Sequence, residues 1–410
     1  MKIFINLSFF FLSLTVVSFG QQPDDETLAH ANRLAQKFII TDGHVDLPYR
    51  LRVANFRLEK EFLKIPIESD KGDFDYVRSK KGGLDAPFMS IYLPANLQSQ
   101  PGASKNLADT LINMIESICE EHPDKFEIAH SVADVKRIVR DGKIALPMGM
   151  ENGSGIEDEI KNVEYFSRRG ISYITLTHSK DNKICDSSYD TTRTHNGLSS
   201  FGIEVVHEMN RQGVMIDISH VSDSTFYQVI RLTKVPVIAS HSSTRHYTPD
   251  FERNMADDMI KTLKGNGGVI MINFGSTFLD KTVQDDRNRL GQQLQTILES
   301  RGLGWGDEAS KPIIDSFTIR NPPSFSDVKM VANHIDHVVA LAGIDHVGFG
   351  SDYDGVGDSL PVGLKDVSQY PNLIAELLRR GYSEVDIEKI CSGNLFRVWQ
   401  SVEDYASANK

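Results

Sequence analysis

Only three cysteines, Cys119, Cys185 and Cys391, occur in 410 residues. That is too few for a disulfide scaffold: at most one intrachain bridge can form, and stability has to come from a packed core. Basic charge is also scarce, since 44 Lys and Arg against 56 Asp and Glu leave a formal net charge of −12. Proteins hold a phosphate backbone with an excess of cations, so no nucleic-acid partner is expected. The chain has no low-complexity tract and no internal repeat, and beyond residue 20 no apolar run is long enough to span a bilayer. With 40% hydrophobic and 24% charged residues, the composition is that of a globular protein able to bury a sizeable core.

The N-terminus is the exception. MKIFINLSFFFLSLTVVSFG sets Lys2 before an apolar stretch from Ile3 to Val17, with the small residues Ser18 and Gly20 ahead of QQPDDE. This is the layout of a secretory signal peptide cleaved after Gly20, and the run is shorter than the roughly 20 residues of a spanning helix. The expectation is a signal peptide over 1–20 and a single domain over 21–410, periplasmic or secreted, with no stable membrane anchor after cleavage.

Eight β-rich apolar runs follow: KFIITDGH, FMSIYLP, KIALPMGME, ISYITLTH, GVMIDISH, VPVIASH, GGVIMINF and HVGFGSD. Segments with helical spacing lie between them, at 103–121, 156–168, 199–212, 222–233 and 325–342. The repeated β-α pattern predicts a parallel sheet covered on both faces, and eight units fit a (β/α)₈ TIM barrel. A doubly wound open sheet is the competing architecture, but no glycine-rich phosphate fingerprint follows the first run. The polar segments 52–85 and 279–324 read as elaborations over one end of the barrel. Within the second, Trp305 and its glycine neighbours are a candidate lid.

The ends of the runs are chemically unusual. The first ends in His44 and Asp46, the third in Glu151, the fourth in His178, the fifth in His220, the sixth in His241 and the eighth in Asp352. In a (β/α)₈ barrel all strands point the same way, so these side chains converge on one mouth, where active sites of this fold lie. Histidines and carboxylates without a thiolate suit a borderline divalent metal such as Zn²⁺. Glu151 lies between the strand of His44 and Asp46 and those of His220 and His241. It is the natural bridge between one ion on His44, Asp46 and Glu151 and a second on Glu151, His220 and His241. Two such ions can share a water and lower its pKa toward neutrality, which makes hydrolysis the expected reaction class.

The blocks DGHVDLP (42–48), GMENG (149–153), LTH (176–178), IDISHVSD (216–223), VIASHSS (237–243), RNMADDM (253–259), GFGSDYDGV (348–356) and DVSQYPNLIAELLRRGYSE (366–384) together resemble the membrane (renal) dipeptidase family, binuclear zinc peptidases on an amidohydrolase-like barrel. The resemblance implies a dipeptidase with two Zn²⁺ per chain on His44, Asp46, Glu151, His220 and His241, a metal-bridging hydroxide as nucleophile, and dipeptides as substrates, including those with a C-terminal D-residue. It also implies His178 as oxyanion donor, Arg253 on the substrate carboxylate, Asp352 on the α-ammonium and in proton transfer, and a homodimer. Arg245 and Arg193 are alternatives to Arg253, and Asp354 to Asp352. Animal members carry several disulfides and a C-terminal lipid anchor, whereas VEDYASANK is short and polar, so an exported bacterial form is expected. The alternatives are a related hydrolase of cyclic amides or esters, against which the opposite charges of Arg253 and Asp352 speak, and a metal-containing binding protein without turnover.

Overall fold

The computed structural model describes residues 23–52, 67–69 and 71–409, so the expected signal peptide lies outside the described residues. Its strands are Ile40–Val45 (β1), Leu84–Tyr92 (β2), Phe126–Ile128 (β3), Ile144–Leu146 (β4), Met148–Glu151 (β5), Ile171–Thr175 (β6), Met215–Asp217 (β7), Ile238–Ser242 (β8), Val269–Ile272 (β9) and Val347–Phe349 (β10). Eight form one parallel sheet in the order β1-β2-β5-β6-β7-β8-β9-β10, while β3 and β4 make a separate pair. The third apolar run therefore supplies two strands, divided at Pro147, whose carbonyl still accepts from Met89 N. Every residue of β1, β5, β6, β7, β8, β9 and β10 is buried, which is why these strands read as continuous apolar runs rather than alternating ones.

The barrel closes beyond the end of β10. Asp352 N donates to His44 O (3.1 Å) and Asp46 N to Tyr353 O (2.9 Å), a parallel bridge of Val45 with Tyr353. Asp42 stitches the same seam, accepting from His44 N (2.9 Å) and Ser351 N (3.0 Å). The fold is thus an α/β (β/α)₈ barrel, as the run pattern predicts.

Helices begin where serine or aspartate can cap and stop where glycine can turn. Ser199 accepts from Gly202 N to start Ser200–Gln212, and Gly213, at φ 76°, ends it. Ser222 and Asp327 cap Asp223–Leu232 and Val328–Ala342 in the same way. The helix Ala103–Glu121 buries Leu107, Leu111, Ile115 and Ile118, one stripe at helical spacing. The last helix, Asn394–Ala408, sets Trp399 against Phe88 (5.2 Å between ring centroids) and closes the barrel at the strand starts, opposite the mouth.

The segment 279–324, expected as an elaboration over one end of the barrel, is largely helical and reaches the cavity over the strand ends through Arg287. It folds into helices Lys281–Glu299 and Lys311–Arg320, joined by a small apolar cluster of Leu290, Leu294, Leu298 and Phe317. The i, i+4 leucine spacing was present in the sequence but masked by polar composition. Of 52–85, residues 53–66 and 70 lie outside the described residues; Tyr76–Gly82 is a short helix capped by Asp75.

Candidate metal centre and substrate site

Strand register brings the strand-end residues level. Glu151 pairs with Tyr92 on β2 and Thr175 on β6, and Thr175 pairs with Asp217 on β7. His178 and His220 follow Thr175 and Asp217 by three residues each, and the closing seam sets Asp352 beside His44 and Asp46. Close approach at this level is possible because residue 149 is glycine: a Cβ there would meet the Tyr173 ring at 2.0 Å. His220 (φ 69°) and Asp352 (φ 63°) both hold left-handed backbone that non-glycine residues seldom adopt, so the fold stores strain where these two side chains turn inward.

The two oxygens of Glu151 face different partners. Oε1 lies 3.1 Å from His220 Nε2, 3.2 Å from His241 Nε2 and 3.6 Å from His178 Nε2, whereas Oε2 lies 3.4 Å from His44 Nε2. His44 Nε2 is also 3.5 Å from Asp46 Oδ2, and the two imidazole Nε2 atoms of His220 and His241 are 2.8 Å apart. All five proposed ligands are buried, and His178, one-fifth exposed at its side chain, stacks over His220 at the edge of the group.

Hydrogen bonds behind the imidazoles fix which nitrogen carries the proton. The Tyr173 hydroxyl donates to Gly43 O (3.0 Å), so it accepts from His44 Nδ1 (2.9 Å) and leaves the lone pair on Nε2. Ser240 Oγ donates to Asp217 Oδ2 (2.6 Å), so it accepts from His241 Nδ1 (2.7 Å), with the same consequence. Asp217 is fixed by Ser240 N (2.8 Å), Ser219 N (3.0 Å) and the Thr175 hydroxyl. As neutral rings both would aim a lone pair at the oxygens of one carboxylate, an arrangement that repels unless a cation, proton or metal, lies between.

A proton does not serve everywhere. Burial, His44 and Arg253 hold the His241 imidazole well below its ordinary pKa, and burial with Arg253 and His178 does the same at His220. At His44 burial is outweighed by Tyr173, Glu151 and Asp46, which raise the imidazole well above its usual value. Burial opposes ionisation of Glu151, yet His44 and His178 with the bonds from His220 and His241 keep its carboxyl well below the normal range. His44 Nε2 and Asp46 Oδ1 are buried without a hydrogen-bond partner. Inward lone pairs, an ionised central carboxylate and unpartnered buried donor atoms make this group fit divalent metal.

A cavity of about 830 Å³ opens over this group, lined by Asp46, Glu151, His178, Tyr189, His220 and Asp352 among others. Asp352 Oδ2 accepts from Asn273 Nδ2 (2.8 Å), and burial, with Asp46 and Glu151 nearby, pushes its carboxyl up to about 7. Asp354 turns elsewhere: it accepts from Asp73 N (2.7 Å) and lies 3.2 Å from Arg50 Nε. Arg253 is buried, with Nη1 on Ser242 Oγ (2.7 Å), Nη2 on His241 O (2.7 Å) and Nε unpartnered. The two rival arginines are engaged, Arg245 with both oxygens of Asp223 and Arg193 with Glu252. Trp305 does not line the cavity; it is half exposed and bonds Gln295. Cys119, Cys185 and Cys391 are all free thiols.

Sequence reasoning missed Tyr173, Ser240, Asp217 and Asn273. Ser240 and Asp217 each stood within three residues of a ligand histidine, a spacing that signals proximity but not orientation.

A (β/α)₈ barrel whose mouth gathers buried histidines and carboxylates around one glutamate defines a metal-dependent hydrolase class. Residues 28–410 match the profile of the membrane dipeptidase family, peptidase family M19. The chain is 33% identical over 376 residues to the dipeptidase tcpJ of Claviceps purpurea, covering 90% of this chain and 78% of that protein. It superposes on the probable dipeptidase PvdM of Pseudomonas aeruginosa with a TM-score of 0.77 at 26% identity, covering 93% of this chain and all (100%) of that one. A metallopeptidase of Rhodobacter sphaeroides, solved with a phosphinate mimic of the dipeptide L-Ala-D-Ala, shares the fold with a TM-score of 0.71 at 23% identity, covering 89% of this chain and 99% of that one. The chain belongs to the membrane dipeptidase family and is a metallo-dipeptidase.

Proposed function

We propose that this protein is an exported dipeptidase that holds two Zn²⁺ ions, one on His44, Asp46 and Glu151 and the other on Glu151, His220 and His241. The observation that carries this reading is the division of Glu151, with Oε2 toward His44 and Oε1 toward His220 and His241. Metal held by these residues would supply an activated water and polarise the scissile carbonyl.

The chain's own residues do the rest. Asp352, held by Asn273, receives the substrate's α-ammonium and can relay a proton to the leaving amine. Arg253, buried beside the cavity lining rather than in it and clamped to Ser242 and His241 O, offers its remaining N–H groups to the C-terminal carboxylate. His178, at the cavity edge, donates to the oxyanion as the carbonyl becomes tetrahedral. Two opposite charges at fixed separation admit one peptide bond between them, which disfavours the cyclic-amide and ester reading. Acceptance of a C-terminal D-residue is supported by the family resemblance and by the ligand of the Rhodobacter sphaeroides structure. Export is supported by the layout of residues 1–20.

The test is hydrolysis of an L,L and L,D dipeptide panel by the mature protein, with and without chelator. Activity that chelation abolishes and Zn²⁺ restores is expected, with about two ions per chain, and with tripeptides and C-terminally amidated dipeptides left intact. Efficient cleavage of the tripeptides or amides overturns the two-anchor reading. An exported protein begins at Gln21 by N-terminal sequencing; retention of Met1 in the extracytoplasmic fraction overturns cleavage after Gly20.

A further inference from the structure

The cavity over the strand ends is lined by Asp46, Glu151 and Asp352, by Asp354, whose carboxylate is engaged by Asp73 N and Arg50, and, among the described residues, by a single Lys or Arg residue, Arg287. Arg287 comes from the helix Lys281–Glu299, part of the inserted pair rather than one of the barrel's βα units. Its Nε donates to Ser324 O (3.2 Å) and its Nη2 to Asp358 O (2.9 Å), and the guanidinium lies over Phe325, 4.9 Å from the ring centroid. These contacts fix the side chain through two neutral carbonyls and leave it N–H groups to spare. Among the described residues no carboxylate forms an ion pair with it. Burial pulls its pKa down against the weaker pull of Asp358 and Asp286. A partly buried cation that faces a cavity with no carboxylate bonded to it, Asp358 and Asp286 acting only through space, suits an anion that arrives with the ligand.

We propose that Arg287 is a specificity-determining residue that selects dipeptides whose N-terminal residue is aspartate or glutamate. This rests on the dipeptidase reading above. The position follows from the chain: Asp358, whose carbonyl Arg287 holds, is six residues beyond Asp352, and Gly355, Val356 and Gly357 between them form the cavity wall with Ser359 just beyond. With the α-ammonium on Asp352, the N-terminal side chain is the substrate group that meets this wall. Phe278 and Val356 cover its methylenes, and the planar guanidinium takes its carboxylate. Arg253 is kept apart for the C-terminal carboxylate by its bonds to Ser242 and His241.

The experiment compares kcat/KM for L-Glu-L-Ala, L-Gln-L-Ala, L-Ala-L-Glu and L-Ala-L-Gln in the zinc-loaded wild type, Arg287→Lys and Arg287→Met. The Glu-to-Gln ratio is read within each protein, so a general loss from altered folding cancels. A ratio of about 10- to 100-fold is expected in the wild type at the N-terminal position only, as for a charge-assisted bond. It falls in Arg287→Lys, whose ammonium cannot bind in a fork, and approaches one in Arg287→Met. A wild-type ratio near one, a ratio that survives both substitutions, or a preference located at the C-terminal position overturns the proposal. Cleavage of all four peptides without discrimination removes only the role of Arg287, whereas a zinc-loaded wild type that cleaves none removes the dipeptidase reading and this one with it.

Discussion

Replacing Ser240 by alanine removes one hydroxyl and no other group, yet it acts on the metal centre through a single imidazole. Ser240 Oγ accepts from His241 Nδ1 (2.7 Å) and donates to Asp217 Oδ2 (2.6 Å), all of it buried. Without it the Nδ1 proton has no acceptor, at a cost of about 1–3 kcal/mol for a buried donor left unpaired. The imidazole escapes that cost by moving its proton to Nε2, the atom that faces Glu151 Oε1 at 3.2 Å. Either route weakens metal on the His220 and His241 side, and lost partners of this kind reduce affinity by roughly 10- to 100-fold, or about 1.4–2.7 kcal/mol. His44 keeps its own lock through Tyr173, so the other ion is held nearly as before. The assay is competition for Zn²⁺ against a chromophoric chelator, which resolves the two affinities, with activity followed as free zinc rises. One affinity weakens, one stays, and activity recovers at saturating zinc. Unchanged binding at both sites, or equal loss at both, refutes the tautomer argument.

Glu151→Ala should release both ions, because each oxygen of that carboxylate serves a different group of histidines; a variant that still binds two zincs tightly removes the bridge. His178→Ala should keep its zinc and lose roughly 10²–10³ in kcat, the scale for a missing oxyanion donor, whereas Arg253→Met should act mainly on KM; zinc loss in the first, or an unchanged KM in the second, reverses those roles. His334 gives a pH test remote from the mouth: burial pushes its imidazole down to about 4, with Thr244 N donating to Nδ1 (3.0 Å) and Nε2 donating to Leu279 O (2.9 Å). Its folded value lies below the unfolded one, so its contribution is present above pH ~6.5 and lost as pH falls toward 4, by about 3 kcal/mol at 1.36 kcal/mol per unit. Urea midpoints at pH 7 and pH 4.5 should therefore fall further in the wild type than in His334→Gln, and equal falls contradict this account.

The sheet was legible because parallel strands buried on both faces must be apolar throughout, and each of the eight runs contributes a strand of the barrel. The inserted helices were not, because Lys281–Glu299 buries only Val283, Leu290, Leu294 and Leu298, a stripe too sparse to stand out among its charges. The same limit hid Arg287, one of the many arginines of the chain until the fold set it at the cavity wall.

Sequence alone determined the residue types at the strand ends, and a shared strand direction was enough to send His44, Asp46, Glu151, His178, His220, His241 and Asp352 to one mouth. Tertiary structure alone decided how those groups face one another. The proton on His44 is placed by Tyr173, 129 residues away, and that on His241 by a serine whose own hydroxyl is turned by Asp217, 23 residues before it. Asp352 owes its position to Asn273 and to the seam with His44 rather than to its neighbours in the chain. Side-chain type is a local property, readable in one dimension, whereas hydrogen-bond direction and the division of one carboxylate between two sets of imidazoles depend on distances that exist only once the barrel has closed.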